Sequence, residues 1–229
     1  MKKVFIVANW KSNKITKEAR KWIEDLSNSN FNFMDFKEII ICPSFSLLSS
    51  VKLGIQEIIG QKLKIKVGAQ DISQFDEGAY TGGVNGRQIK ELADYVIVGH
   101  SERRNNFGED GKIVNEKISK ALKYNLIPIL CVSDMKQIHD SRLVIHNSNF
   151  IVAYEPTFAI GTGTPDTPEN ADKMAKNIKE ILGEIPVLYG GSVSKFNIKS
   201  FTQMSYIDGA LVGRASLDVK EFATIIQNA

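Results

Sequence analysis

An ammonium, an imidazole and a carboxylate each stand just past the end of a short apolar run: Lys11 in Asn9-Trp10-Lys11, His100 in Gly99-His100-Ser101-Glu102, and Glu155 in Glu155-Pro156. Brought together, such groups suit proton transfer at a carbon next to a carbonyl. That proton is only weakly acidic, so the base needs help. A donor aimed at the carbonyl oxygen would stabilise the developing enediolate, and a nearby cation would offset its charge. A helical turn starting directly after His100 would disfavour the imidazolium and leave a neutral ring that can still donate. Taken singly, each residue has an ordinary reading: Lys11 as a solvated loop lysine, His100 as a hydrogen-bonded strand-end histidine, Glu155 as the cap of a nearby helix. Their joint placement carries the argument.

Glycines after the apolar runs point to phosphate. At Gly161, Gly163, Gly190, Gly191 and Gly213 bare backbone N–H groups can approach an anion closely, and Ser192 adds a hydroxyl. A glycine pair alone marks only a turn. The run Ala159-Ile160-Gly161-Thr162-Gly163-Thr164, ahead of a capped helix, has the composition of a hinged lid that would exclude water from a reactive intermediate. His139 and His146 lack metal-ligand spacing and read as surface residues. Asp76, Glu77, Glu109 and Asp110 lack calcium-loop spacing and read as loop or capping groups, and no dinucleotide fingerprint follows the first apolar run. Neither metal nor cofactor is expected.

These residues need a scaffold that gathers strand ends. Eight short runs are candidate strands: Val4 to Ala8, Ile39 to Cys42, Ile65 to Ala69, Tyr95 to Val98, Ile127 to Val132, Phe150 to Tyr154, Ile185 to Tyr189 and Ile207 to Val212. Near-continuous Val, Ile and Leu content marks strands buried on both faces, hence a parallel sheet covered by helices. Helical spacing falls between them, as in Ala19, Trp22, Ile23 and Leu26, and again in Val114, Ile118, Ala121 and Leu122. The clearest helix has Thr167 as N-cap, Pro168 at its first position, and Ala171, Met174, Ala175, Ile178, Ile181 and Leu182 on one face. Residues 134 to 149 hold only a weak apolar pattern, so that crossover is expected to be short or poorly helical. Either a closed barrel or a doubly wound open sheet would collect the strand C-termini on one face.

Composition narrows the class. A chain of 229 residues with 43% hydrophobic content can bury one core, and with no linker or repeat a single domain over 1–229 is expected. The net charge of +3 is carried by scattered lysines, so no footprint for nucleic acid or an acidic membrane stands out. The apolar run behind Met1-Lys2-Lys3 is too short for a signal-peptide core, and a cytoplasmic location is the simplest expectation. Cys42 and Cys131 lie in apolar runs and read as reduced packing residues.

Over essentially the whole chain the motifs resemble the triosephosphate isomerase family. The resemblance rests on Asn9-Trp10-Lys11, Gly99-His100-Ser101-Glu102-Arg103-Arg104, Ala153-Tyr154-Glu155-Pro156 with Ala159-Ile160-Gly161-Thr162-Gly163, Tyr189-Gly190-Gly191-Ser192-Val193, and Asp208-Gly209-Ala210-Leu211-Val212-Gly213, in that order. It implies an α/β fold, the (β/α)8 barrel rather than the open sheet, and interconversion of dihydroxyacetone phosphate and glyceraldehyde 3-phosphate. It further implies Glu155 as base, His100 as neutral electrophile, Lys11 as electrostatic stabiliser and Asn9 as a polar contact of the substrate. Phosphate would be held by backbone at Gly161, Gly213 and Arg214 with Ser192, and Glu102 would orient the site. A homodimer is implied as well, in which Gly78-Ala79-Tyr80-Thr81-Gly82 enters the neighbouring subunit, making Thr81 a support from across the interface.

The sequence departs from the family pattern at five places. Arg214 replaces a glycine, which would strain the backbone if the position needs a positive φ. Phe158 replaces the lid's tryptophan and Ser133-Asp134 replaces Gly-Glu, so a polar latch of the open lid is expected to be absent. Gly83 replaces a glutamate that helps tie the dimer. Finally, the crossover between the fifth and sixth strands is shortened, with its helix truncated or missing. The rival readings are a barrel acting on another sugar phosphate, and a barrel that keeps the phosphate grip but serves as a binding protein.

Overall fold

The computed structural model describes residues 2–29, 37–59, 65–145 and 149–229; His146 lies outside them. The strands are β1 (Val4–Asn9), β2 (Lys37–Cys42), β3 (Ile65–Ala69), β4 (Tyr95–Val98), β5 (Ile127–Val132), β6 (Ile151–Tyr154), β7 (Val187–Tyr189) and β8 (Gly209–Val212). Each pairs in parallel with the next, and β8 returns to β1 with Phe5 opposite Gly209 and Ala8 opposite Val212. The sheet is therefore a closed eight-stranded barrel, which excludes the open alternative.

Its continuous apolar strands serve two cores. Along β1, Phe5 and Val7 point into the barrel, where they meet Ile40, Ile97, Ile129 and Leu211. Val4, Ile6 and Ala8 point outward against the helices. This two-residue alternation, with both faces covered, is why the runs show no polar face. Truncating a wholly buried interior residue such as Ile129 or Leu188 to alanine should cost about 2–5 kcal/mol.

Helices follow the strands: α1 (Thr16–Ser27), α2 (Leu48–Gly54), α3 (Gly86–Lys90), α4 (Ser101–Phe107), α5 (Gly111–Lys123), α6 (Met135–Ile145), α7 (Pro168–Leu182), α8 (Ile198–Thr202) and α9 (Val219–Asn228). On α1 the residues at helical spacing, Ala19, Trp22, Ile23 and Leu26, are the buried ones. Thr167 caps α7 by accepting the Asn170 N–H at 3.2 Å, and Pro168 occupies the first turn, where its missing N–H costs nothing. No helix among the described residues is long and apolar enough to cross a membrane.

Of the two alternatives for the crossover after β5, a missing helix is excluded. The segment after β5 does form a helix, α6. Asp134 starts it by accepting the Gln137 N–H at 2.9 Å, and the Gln137 side chain accepts the Ser133 N–H at 3.0 Å. The apolar pattern was weak because the buried face of α6 includes a serine, Ser141, beside Ile138. Glu109 does stand in the loop between α4 and α5, but not as a solvated group. It is buried among charges, paired with Lys117 and, at 2.5 Å, with Arg103, while Asp71 pairs with the same two cations at 2.6 and 2.9 Å. Asp110 does cap α5, accepting from the Ile113 N–H, and Glu77 pairs with Arg87 at the surface.

The long connection from β3 to α3 rests on α5. Lys117 holds Asp71, and one turn further on Lys120 and Lys123 hold Asp76 at 2.6 and 3.0 Å, joined by the Tyr124 hydroxyl at 2.9 Å. These positions recur every three to four residues, so one face of α5 grips two points of the connection. The tip of the connection carries an exposed stacked pair, Phe75 and Tyr80, with ring centroids 4.1 Å apart, and next to it the exposed Thr81.

Candidate active site

Asn9, Lys11, His100, Glu155, Gly161, Ser192, Gly213 and Arg214 all line one cavity of about 320 Å³ at the C-terminal mouth of the barrel. They are contributed by the exits of β1, β4, β6, β7 and β8, so barrel closure gathers residues more than 200 positions apart in sequence. Glu102 pairs with Lys11 rather than lining the cavity, and Thr81 belongs to a separate groove with Phe75 and Tyr80. A single chain therefore brings together every expected site residue except Thr81.

Glu155 follows β6 directly and is 2% exposed. Its Oε1 lies 3.2 Å from His100 Nε2, and its Oε2 accepts weakly from the Ser101 N–H at 3.4 Å. The absence of a side chain at Gly190 makes this placement possible, because a Cβ there would come within 2.8 Å of Glu155 Cγ. Cys131, on the neighbouring strand, is fully buried, and burial pushes its thiol up, away from the thiolate.

His100 is the N-cap of α4, with Nδ1 accepting the Glu102 N–H at 3.2 Å. A nitrogen that accepts carries no proton, so in this arrangement the ring proton sits on Nε2, facing the cavity. With Nδ1 accepting, the ring can donate through Nε2. Lys11 lies at φ +50°, a left-handed conformation costing a residue with a side chain on the order of 1 kcal/mol. Its N–H donates to Asn9 Oδ1 at 3.0 Å, its carbonyl accepts from Gln70 Nε2 at 3.0 Å, and its Nζ reaches Glu102 Oε1 at 2.5 Å.

The part of the cavity around Ser192 is built from turns. Ser192, also left-handed at φ +53°, donates its hydroxyl to the Ala159 carbonyl at 2.5 Å and accepts the Gly163 N–H at 3.2 Å. With the Asp166 N–H donating to the Tyr189 hydroxyl at 2.7 Å, these bonds hold residues 157–166 down over the cavity. Burial raises the Tyr189 hydroxyl to about 12, so it stays protonated at neutral pH. Gly161, at φ +71° with open space where a Cβ would be, serves the turn by conformation rather than by packing.

Arg214 does not have the strained backbone it was suspected of. It opens a 3-10 turn, Arg214–Ser216, and is absent from the positive-φ residues among those described. Arg214 and Ala215, at the start of this turn, line the cavity, and the arginine sits there without a positive φ. Phe158 is 59% exposed, and Asp134 is occupied as the cap of α6. The structure adds Gln70 to the site. As a polar residue directly after a buried strand it had the same signal as Lys11 and His100, but an uncharged amide drew no attention.

A neutral donor, an ammonium and a buried carboxylate around an anion-sized cavity define a parallel-barrel site suited to proton transfer on a small phosphorylated carbonyl compound. The model of the triosephosphate isomerase family matches residues 4–229 of the chain. Over 249 aligned residues the chain is 38% identical to the triosephosphate isomerase of Mesomycoplasma hyopneumoniae (strain 7448), covering all of both proteins. It is 42% identical to that of Mycoplasmopsis pulmonis (strain UAB CTIP), covering 99% of the chain and 98% of the relative. With the enzyme of Dehalococcoides mccartyi (strain CBDB1) it shares 37% identity, covering 100% of the chain and 97% of the relative. The chain belongs to the triosephosphate isomerase family.

Proposed function

We propose that the chain interconverts dihydroxyacetone phosphate and D-glyceraldehyde 3-phosphate, an aldose–ketose isomerisation serving glycolysis and gluconeogenesis. The observation that carries this reading is the buried Glu155 carboxylate 3.2 Å from a neutral, Nε2-protonated His100, both lining the cavity that Lys11 also lines. Glu155 takes the proton next to the carbonyl, His100 donates to the carbonyl oxygens, and Lys11 offsets the enediolate and phosphate charge, with Asn9 in polar contact. Backbone at Gly161, Gly213 and Arg214, with Ser192, holds the phosphate. The segment bonded to Ser192 and Tyr189 acts as a lid whose closure suppresses elimination of phosphate from the enediolate.

The wider reading has the chain as one domain over 1–229, cytoplasmic, and working as a homodimer. The exposed Phe75, Tyr80 and Thr81 on a braced connection support the dimer, since such a tip suits insertion into a neighbour near Asn9 and His100. The crossover carrying α6 is shorter than in the family.

The test is turnover of glyceraldehyde 3-phosphate by the purified chain in a coupled assay, beside Glu155→Gln. Fast turnover in the parent and a loss of about a thousandfold or more in the variant are expected. A folded, phosphate-binding parent without turnover would move the search to other sugar phosphates or to a binding role.

A further inference from the structure

The turn after β8, Arg214–Ser216, is held by two side chains that do not line the cavity. Trp22, on α1 and 3% exposed, donates its indole N–H to the Ser216 carbonyl at 3.2 Å. Lys14, in the loop between β1 and α1, donates its Nζ to the next carbonyl, that of Leu217, at 2.9 Å. Inside the cavity the same two stretches meet again, since a Cβ at Gly213 would lie 3.4 Å from Lys11 Cε. The turn is thus clasped to the exit of β1 from both sides.

Lys14 is the costly member of the clasp. Its φ of +71° is left-handed, only three residues after the left-handed Lys11, and in a residue with a side chain such a conformation persists only where its surroundings dictate it. Its ammonium stands over the Trp10 ring, 5.3 Å from the centroid, and Trp10 meets Trp22 edge-on with centroids 5.0 Å apart. Burial lowers the Lys14 ammonium's pKa, opposed by the charges of Glu18 and Asp218. The need to satisfy a buried indole would account for Trp22 alone. It does not account for a strained lysine reaching the adjacent carbonyl, and the neighbouring Trp10 indole nitrogen is buried with no partner among the described residues. Within the turn, Ser216 returns its hydroxyl at 2.7 Å and its N–H at 2.9 Å to the Gly213 carbonyl, so fixing Ser216 also fixes Gly213.

We propose that Lys14 and Trp22 are positioning residues for the turn after β8: their bonds to the Leu217 and Ser216 carbonyls set the Gly213–Arg214 backbone at its place in the cavity. The inference rests on the reading of that backbone as part of the phosphate grip. Without the two donors the turn still forms, but its distance from Lys11 is no longer set, and binding of phosphate suffers before the chemistry does.

The variants are Trp22→Phe, which keeps an aromatic ring without the N–H, Lys14→Met, which keeps the length without the ammonium, and the two combined. Lys14→Gly serves as a fourth, because it removes the donor and the backbone strain together. Affinity for inorganic phosphate, kcat and KM for glyceraldehyde 3-phosphate, melting temperature and amide hydrogen exchange at Ser216 and Leu217 are measured in all of them and in the parent. In the combined variant phosphate should bind about tenfold more weakly and KM should rise in step, while kcat falls less than about threefold. Exchange at the two amides should quicken about tenfold with that of α5 unchanged. Lys14→Gly should melt close to the parent and still bind phosphate as weakly as Lys14→Met, which separates positioning from stability. Parental phosphate affinity in a folded combined variant or in Lys14→Gly would overturn the proposal, and so would exchange that quickens evenly over the barrel. Weaker phosphate binding in the variants of a parent without turnover would sink the isomerase reading and leave the clasp standing; an active parent whose variants bind phosphate unchanged would do the reverse.

Discussion

At the scale of residues, the site is defined as much by what is missing at one position as by what is present. Gly190 faces Glu155 so closely that a methyl group would lie 2.8 Å from its Cγ. Gly190→Ala should therefore leave a folded barrel whose base is pushed off its position. A displacement near 1 Å would lower kcat on the order of a hundredfold, with a smaller change in phosphate affinity. Steady-state kinetics beside a phosphate titration would check this; equal loss in both would mean that the turn itself had collapsed. Lys11, His100 and Glu155 were legible in the sequence because charged or titratable groups at strand ends are conspicuous. Gln70 occupies an equivalent place and was overlooked. Arg214 shows the limit from the other side: its type suggested strain, and only the negative φ of its 3-10 turn removed that suspicion.

At the scale of elements, short buried strands were the easiest to read and weakly patterned helices the hardest. Ile65–Ala69, Tyr95–Val98 and Ile127–Val132 coincide with their apolar runs. β6, β7 and β8 begin one or two residues late, because apolar residues such as Phe150 and Ile207 are buried ahead of the ladder rather than in it. The helix α6 escaped notice because a buried serine breaks its stripe.

The brace from α5 to the β3–α3 connection was not foreseen at all, since nothing in a string of scattered lysines shows which face of a helix they share. It carries a pH dependence. Hydrogen bonds from Lys120, then Lys123 and Tyr124, hold the Asp76 carboxyl well below the usual carboxylate range. A depressed carboxylate contributes stability above its ordinary pKa of about 4, and that contribution is lost as pH falls toward the folded-state value. Limited proteolysis within 71–84 should run roughly twofold or more faster in Asp76→Asn than in the parent at pH 7, and the two should converge as pH drops below about 4. A difference that grows on acidification would contradict the brace. Asp71 works with the opposite sign, since burial pushes its carboxyl up despite Lys117 and Arg103.

At the scale of the whole molecule, closure is the step that turns separate motifs into a site. Five strand exits, from Asn9 to Arg214, meet only because β8 pairs with β1. Each residue's ordinary reading is incomplete once they share one cavity, with the carboxylate buried beside the imidazole. The same geometry leaves Thr81 outside, in a separate groove with Phe75 and Tyr80. The central claim is proton transfer through an enediolate. It is tested most directly by following glyceraldehyde 3-phosphate in deuterated water by proton NMR with the parent chain. A base that takes and returns the proton should let solvent deuterium into the carbon next to the carbonyl of the dihydroxyacetone phosphate formed, at a level well above the enzyme-free background. Conversion with complete retention of protium, the mark of a hydride passed directly between carbons, would contradict the account, and so would the absence of conversion.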